Sequence, residues 1–202
     1  MRYLVLITSL LFFSTCHNRP QWQTGDLIFQ DLDCPLCDAI ENATRGFQNK
    51  PVSHVGIIVI QDEKIFVIEA YDKVQIVPLD TFLKRSPKIL VGRLKPPYRK
   101  YIPKAVQKAY RKIGLPYDEV FQLNNEKYYC SELIYDIFTD ENDRHLFDVY
   151  PMNFKNLRTG RFDSIWIAYF DKLNRPIPQG RLGCNPAEYS RNPKIEIIYT
   201  TY

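Results

Sequence analysis

The chain has 202 residues, enough for one domain of ordinary size, and its 45% apolar and 14% aromatic residues exclude a disordered chain. The formal charge is 27 − 23 = +4 with no lysine or arginine run, so charge points neither to nucleic acid nor to any other partner.

Met1-Arg2-Tyr3 and the apolar stretch 4–13 have the charged start and short hydrophobic middle of an export signal, too short to remain as a membrane-spanning helix. Ser14-Thr15-Cys16 resembles the lipobox at which bacterial lipoproteins are cleaved and lipidated on the cysteine. Thr15 is larger than the usual small residue and Phe13 replaces the usual leucine, so simple secretion is the alternative. The expected layout is an export signal over 1–16, a polar tether over 17–23 and one folded domain over 24–202. The expected location is the bacterial cell envelope, either periplasmic or membrane-anchored through a lipid on Cys16.

Residues 25–30 read as a first, fully buried strand. Cys34-Pro35-Leu36-Cys37 follows at the start of a helix expected over 38–44. The pair is read as structural, as a disulfide of an oxidising compartment, or as metal or redox chemistry. No second pair stands at zinc-finger spacing.

Ser53-His54-Val55-Gly56 opens a β-branched strand running to Ile60, and Lys64–Ala70 reads as its hairpin partner. With Asp62 and Glu63 as a two-residue turn, Gln61 pairs with Lys64 and Gly56 falls opposite Glu69. His54 then shares a face with Glu69 as a diagonal neighbour, about 7–8 Å away between backbones. Gly56 is expected to leave the space through which the carboxylate reaches the imidazole. Such a pair suits a base held in one tautomer by a carboxylate. The plain alternative is a solvent-facing Glu69 and a satisfied core histidine. Of the other histidines, His17 lies in the tether and His145 in a polar run.

Val74–Pro78 and Ile89–Leu94 complete a meander of about five strands, with a short helical piece over 81–85 between them. Residues 101–112 form an amphipathic helix whose cations read as a solvated face. In Tyr129-Cys130-Ser131-Glu132-Leu133, the apolar residues Leu133, Ile134, Ile137 and Phe138 repeat at helical spacing, which places Cys130 at a helix N-terminus with Ser131 and Glu132 in its first turn. Unpaired N–H groups and the helix dipole favour a thiolate there and can anchor an oxyanion, which makes Cys130 the candidate nucleophile. An inert buried thiol is the alternative. Downstream, 151–156 and 183–186 read as loops, 164–173 as a short aromatic element and 194–199 as a terminal strand, with no further chemistry and with Cys184 structural.

The order Ser-His-Val-Gly, Glu69-Ala70, then Cys-Ser-Glu-Leu resembles the circularly permuted papain-like hydrolases of the YiiX type, relatives of NlpC cell-wall peptidases, over about residues 24–190. The resemblance implies an α+β fold of papain-like topology, circularly permuted, with a mainly antiparallel central sheet packed by helices. It implies Cys130 as nucleophile, His54 as base and Glu69 as third member. Gly114-Leu115-Pro116-Tyr117 is similar to the segment before the cysteine in NlpC enzymes, and on that ground Tyr117 is an oxyanion or substrate-positioning candidate, with aromatic packing as the alternative. The expected activity is hydrolysis of an amide, or an ester, in an acylated, lipid-containing or cell-wall peptide molecule, with no metal and no cofactor. Two other readings stand beside it: a non-catalytic envelope protein that binds lipid or peptide on the same scaffold, and a thiol-disulfide protein built on Cys34 and Cys37.

Overall fold

A computed structural model describes residues 20–202; the expected export signal, Cys16 and the first three residues of the expected tether, 17–19, lie outside the described residues. In chain order the elements are β1 (Leu27–Gln30), α1 (Pro35–Ala43), β2 (His54–Gln61), β3 (Lys64–Ala70), β4 (Val74–Pro78), α2 (Leu79–Leu83) and β5 (Ile89–Leu94). There follow α3 (Ile102–Lys112), α4 (Cys130–Ile137), β6 (Tyr150–Pro151), α5 (Ser164–Lys172), β7 (Leu182–Gly183), α6 (Pro186–Ser190) and β8 (Ile195–Thr200). The fold is α+β, a mainly antiparallel sheet packed by helices.

The sheet has the order β4-β3-β2-β1-β5-β8, and every pairing in it is antiparallel. It is therefore not the expected five-strand meander: β5 crosses over to pair with β1, and β8 closes the far edge. The reason lies in β1. Leu27, Ile28, Phe29 and Gln30 are all fully buried, so this strand needs a neighbour on each side and cover on both faces. Leu27, Phe29, Val55, Ile57 and Ile68 face the core built with Leu133, Ile134 and Ile137 of α4. Ile28, Ile58, Val67 and Val91 face a smaller cluster with Leu79 and Phe82 of α2. Each such fully buried side chain contributes roughly 1.5–3 kcal/mol of transfer free energy.

The β2–β3 hairpin has the expected register. Gln61 pairs with Lys64 and Gly56 with Glu69, around Asp62 and Glu63 at φ 46° and 63°. Both turn residues are left-handed, as a two-residue hairpin loop whose twist matches its strands requires. The lysines of α3 are not simply a solvated face: Lys104 pairs with Asp143, Lys112 with Asp136, and Lys108 donates to Thr139 Oγ1. They tie α3 to α4 and the segment that follows it.

Candidate active site

Strand alternation puts His54 and Glu69 on the face covered by α2, and there the two side chains meet, Nε2 to Oε2 at 2.6 Å. Both are buried, Glu69 completely. The Glu69 carboxylate also accepts from Gln75 Nε2 at 3.0 Å and from Arg85 Nη2 at 2.7 Å to each oxygen. Burial alone would raise the Glu69 carboxyl, but His54 and then Arg85 outweigh it and hold it below the ordinary carboxylate value. Gly56 contributes by its missing side chain. A Cβ there would stand 2.4 Å from Val67 Cγ1 and 3.4 Å from Glu69 Cβ. The closest constraint is thus the packing of Val67, then the Ile68 carbonyl oxygen at 3.1 Å, with the Glu69 side chain only third, so the expected room for the carboxylate is the lesser part of what the glycine provides.

Cys130 is the first residue of α4, and its thiol is the strongest influence raising the His54 imidazole, ahead of Glu69. With Nε2 engaged by Glu69, Nδ1 is the nitrogen available to the thiol. Burial works to lower the imidazole, yet Cys130 and Glu69 together raise it to about 9. An imidazolium that persists at neutral pH is the partner a thiolate needs. The Tyr129 N-cap has no side-chain acceptor for the first turn. Ser131, in the first turn, supplies no capping hydroxyl either; it donates to Cys184 O at 3.1 Å, since its position on the buried side of the helix faces the 183–186 loop. The first-turn N–H groups beside Cys130 are therefore free of a side-chain cap, as an anion site requires.

Beside Cys130 opens a cavity with about 500 Å³ of empty space, counting the part open to solvent. Its walls include Ile40 of α1, Phe121, Met152, Phe154 and Trp166 of α5. Tyr117 lines it too, and burial, then the neighbouring Cys130, push its phenol well above the ordinary range, so it stays a hydroxyl donor. The downstream segments thus do carry part of the site. Phe154 packs edge-on against Trp166 with ring centroids 4.8 Å apart, a contact between segments whose loop and short-helix patterns gave no signal of a shared wall.

Several other sequence expectations find their place. Cys34 and Cys37 form a disulfide across the first turn of α1, Cα to Cα 5.0 Å, so the structural and disulfide readings of this pair coincide. Cys184 is a buried free thiol under α4; its N–H donates to Tyr129 Oη at 3.1 Å and burial pushes the thiol up to about 12. His145 is exposed, stacked on Tyr135 with centroids 3.9 Å apart, and takes no part in the site. Sequence reasoning missed Arg85, Gln75, Tyr71 and Phe82. Gln75 was within reach, because continuing the strand count places it opposite Glu69. Arg85 follows a five-residue helix, and no periodicity marks it.

A family described as the permuted papain-like amidase enzymes, YaeF/YiiX, C92 family, matches residues 21–199. The chain belongs to that family. The uncharacterised protein YiiX of Escherichia coli K12 is 33% identical over 141 residues, covering 68% of this chain and 67% of its own. The crystal structure of YiiX from Escherichia coli O157:H7 superposes with a TM-score of 0.73 at 24% identity, over 89% of this chain and 98% of that one. The chain is accordingly a papain-like amidase of permuted topology, in which the histidine strand precedes the cysteine helix. The O157:H7 protein is described as a metalloprotein. Among the described residues of this amidase no group of three or more His, Cys, Asp and Glu side chains comes together to hold an ion, and both Glu69 oxygens are taken by Arg85 Nη2. The residues present do not fit a metal centre at the site.

Proposed function

We propose that this amidase is an exported cysteine hydrolase that cleaves an amide, or an ester, in an acylated or lipid-containing molecule through a thioester on Cys130. The observation that carries this reading is the position of Cys130, at an uncapped helix N-terminus, paired with His54, and opening onto a cavity walled by Phe121, Met152, Phe154 and Trp166. An apolar wall of that kind suits the hydrocarbon chain of an acylated amine better than a polar cell-wall peptide, although both molecules contain an amide.

In this mechanism His54 Nδ1 takes the thiol proton and the sulfur adds to the substrate carbonyl carbon. The developing oxyanion is met by the Cys130 N–H and by the Tyr117 hydroxyl, which burial keeps protonated. The carbon–nitrogen bond then breaks as the imidazolium gives its proton to the leaving nitrogen. Water, deprotonated by His54, releases the acid and restores the thiol. Glu69 holds the ring throughout.

The test needs no known substrate. Alkylation of Cys130 by iodoacetamide, followed against pH by mass spectrometry, should run well below the ordinary thiol pKa of about 8.5 and should lose that advantage in His54→Ala. A Cys130 that titrates as a free thiol would replace this reading with that of an envelope binding protein. For the envelope location, mass spectrometry of the mature N-terminus should find a lipid on Cys16; an unmodified start elsewhere would leave simple secretion.

A further inference from the structure

Glu69 has no exposure to solvent, and a carboxylate so placed is costly unless a cation and hydrogen bonds replace its hydration. Three groups face it: His54 from β2, Gln75 from β4 and Arg85 after α2. Gln75 is neutral. His54 carries charge only while it holds the thiol's proton, and across the ring its other partner is Cys130 of α4. When the imidazolium N–H bond breaks and the proton passes to the leaving nitrogen, Arg85 is the one cation still against Glu69 among the described residues.

We propose that Arg85 is a positioning residue for the amidase reaction: its guanidinium keeps Glu69 ionised and in place while His54 is neutral, and so allows His54 to release its proton. The proposal rests on the reading of Cys130 and His54 as nucleophile and base.

The way Arg85 is held agrees with this role. Its side chain is only 19% exposed. The guanidinium carbon lies 4.4 Å from the centroid of Tyr71 and 4.8 Å from that of Phe82, and Phe82 in turn stacks on the His54 ring with centroids 5.8 Å apart. Nη2 reaches both carboxylate oxygens while Nε is buried with no partner. A surface ion pair kept for its own sake would not leave a guanidinium N–H unsatisfied. The packing fixes the cation behind the carboxylate, and because Nη2 alone meets both oxygens, an ammonium in its place reproduces the charge.

If Arg85 is made neutral, a neutral His54 leaves a buried carboxylate with no cation, so the pair should hold its proton more tightly. The chain has three histidines, His17, His54 and His145, which makes an NMR titration of the ring resonances tractable. It is run in a Cys130→Ala background so that the thiol does not titrate beside His54. Arg85→Met should raise the His54 midpoint by about one pH unit, a tenfold gain in proton affinity. Arg85→Gln should do the same and serves if the methionine variant does not fold. Arg85→Lys should stay within a few tenths of the parent. An unchanged midpoint in the neutral variants overturns the proposal. A midpoint falling toward the ordinary histidine value also overturns it, since that is the result of a merely structural Arg85 whose loss lets Glu69 drift from the ring. Failure of the nucleophile reading shows separately, as ordinary alkylation of Cys130 in the otherwise native chain.

Discussion

His54 and Glu69 are joined through Nε2 and Oε2 at 2.6 Å, with the carboxylate on the side of the ring away from the thiol's proton. This contact selects the tautomer in which Nε2 carries hydrogen and Nδ1 is open, the one form of a neutral imidazole that can act as base toward Cys130. Glu69→Gln keeps the shape and removes the charge. The His54 midpoint should fall from about 9 and turnover should drop by roughly 10²–10⁴-fold, the usual worth of general acid–base catalysis. Titration of the His54 ring by NMR and hydrolysis of the long-chain acyl amide proposed above as substrate, measured on the same preparation, check both parts; an active Gln variant with an unshifted histidine would remove Glu69 from the mechanism.

The same histidine should make stability depend on pH. Its folded value near 9 lies above the unfolded value of about 6.5, so its contribution is complete below the unfolded value and is lost as pH rises through the folded one. Thermal melts of the native chain and of His54→Gln should therefore converge between about pH 6.5 and pH 9. Parallel curves across that window would contradict the raised proton affinity.

Glu132 acts in the opposite sense to a salt-bridged acid. Burial, and after it Asp118, raise its carboxyl to about 8, and Oε2 is buried without a partner. Folding therefore favours the protonated form, and stability is lost as pH climbs from the ordinary carboxylate value of about 4.3 toward 8. Glu132→Gln, which mimics that form, should match the parent near pH 4 and melt at a higher temperature near pH 8. A variant that is less stable at both pH values would mean that the ionised carboxylate is the form the fold requires.

Gly56 has no room for a methyl group, since a Cβ would lie 2.4 Å from Val67 Cγ1 in the fully buried interior. Gly56→Ala should cost about 1–3 kcal/mol in urea unfolding, the usual penalty for overpacking. The double variant Gly56→Ala, Val67→Ala should recover part of it, and an additive loss in the double variant would place the strain elsewhere.

The disulfide closes the first turn of α1, where Cys34 Sγ also accepts from the Cys37 N–H at 3.1 Å. Labelling of the unreduced, denatured chain should modify Cys130 and Cys184 and spare Cys34 and Cys37. Reduction should lower the melting temperature, because Ile40 and Thr44, which line the cavity, belong to that helix and its C-cap.

How much of this was legible in the sequence follows from the range over which each signal acts. The hairpin register needed only a two-residue turn and the period of a strand, so His54 and Glu69 were placed on one face correctly. The start of α4 was likewise local, carried by Leu133, Ile134 and Ile137 behind Cys130. The crossover of β5 to β1 was not, because strand order depends on which buried strand requires two neighbours, and nothing within Ile89–Leu94 records that. Arg85 escaped for a related reason: a single cation after a short helix looks like any surface arginine until the fold places a buried carboxylate 2.7 Å away. The cavity wall was the least legible part, being assembled from α1, the segments around Phe121 and Phe154, and α5.

That division of the wall from the reactive groups has an evolutionary consequence. Cys130, His54, Glu69 and Arg85 stand on the sheet, on α4 or just after α2, whereas Ile40, Phe121, Met152, Phe154 and Trp166 come from α1, α5 and connecting segments outside the six-stranded sheet. Drift in the second set can retailor what is accepted while the first set is inherited intact, so paralogues of this amidase can diverge in diet without relearning their chemistry.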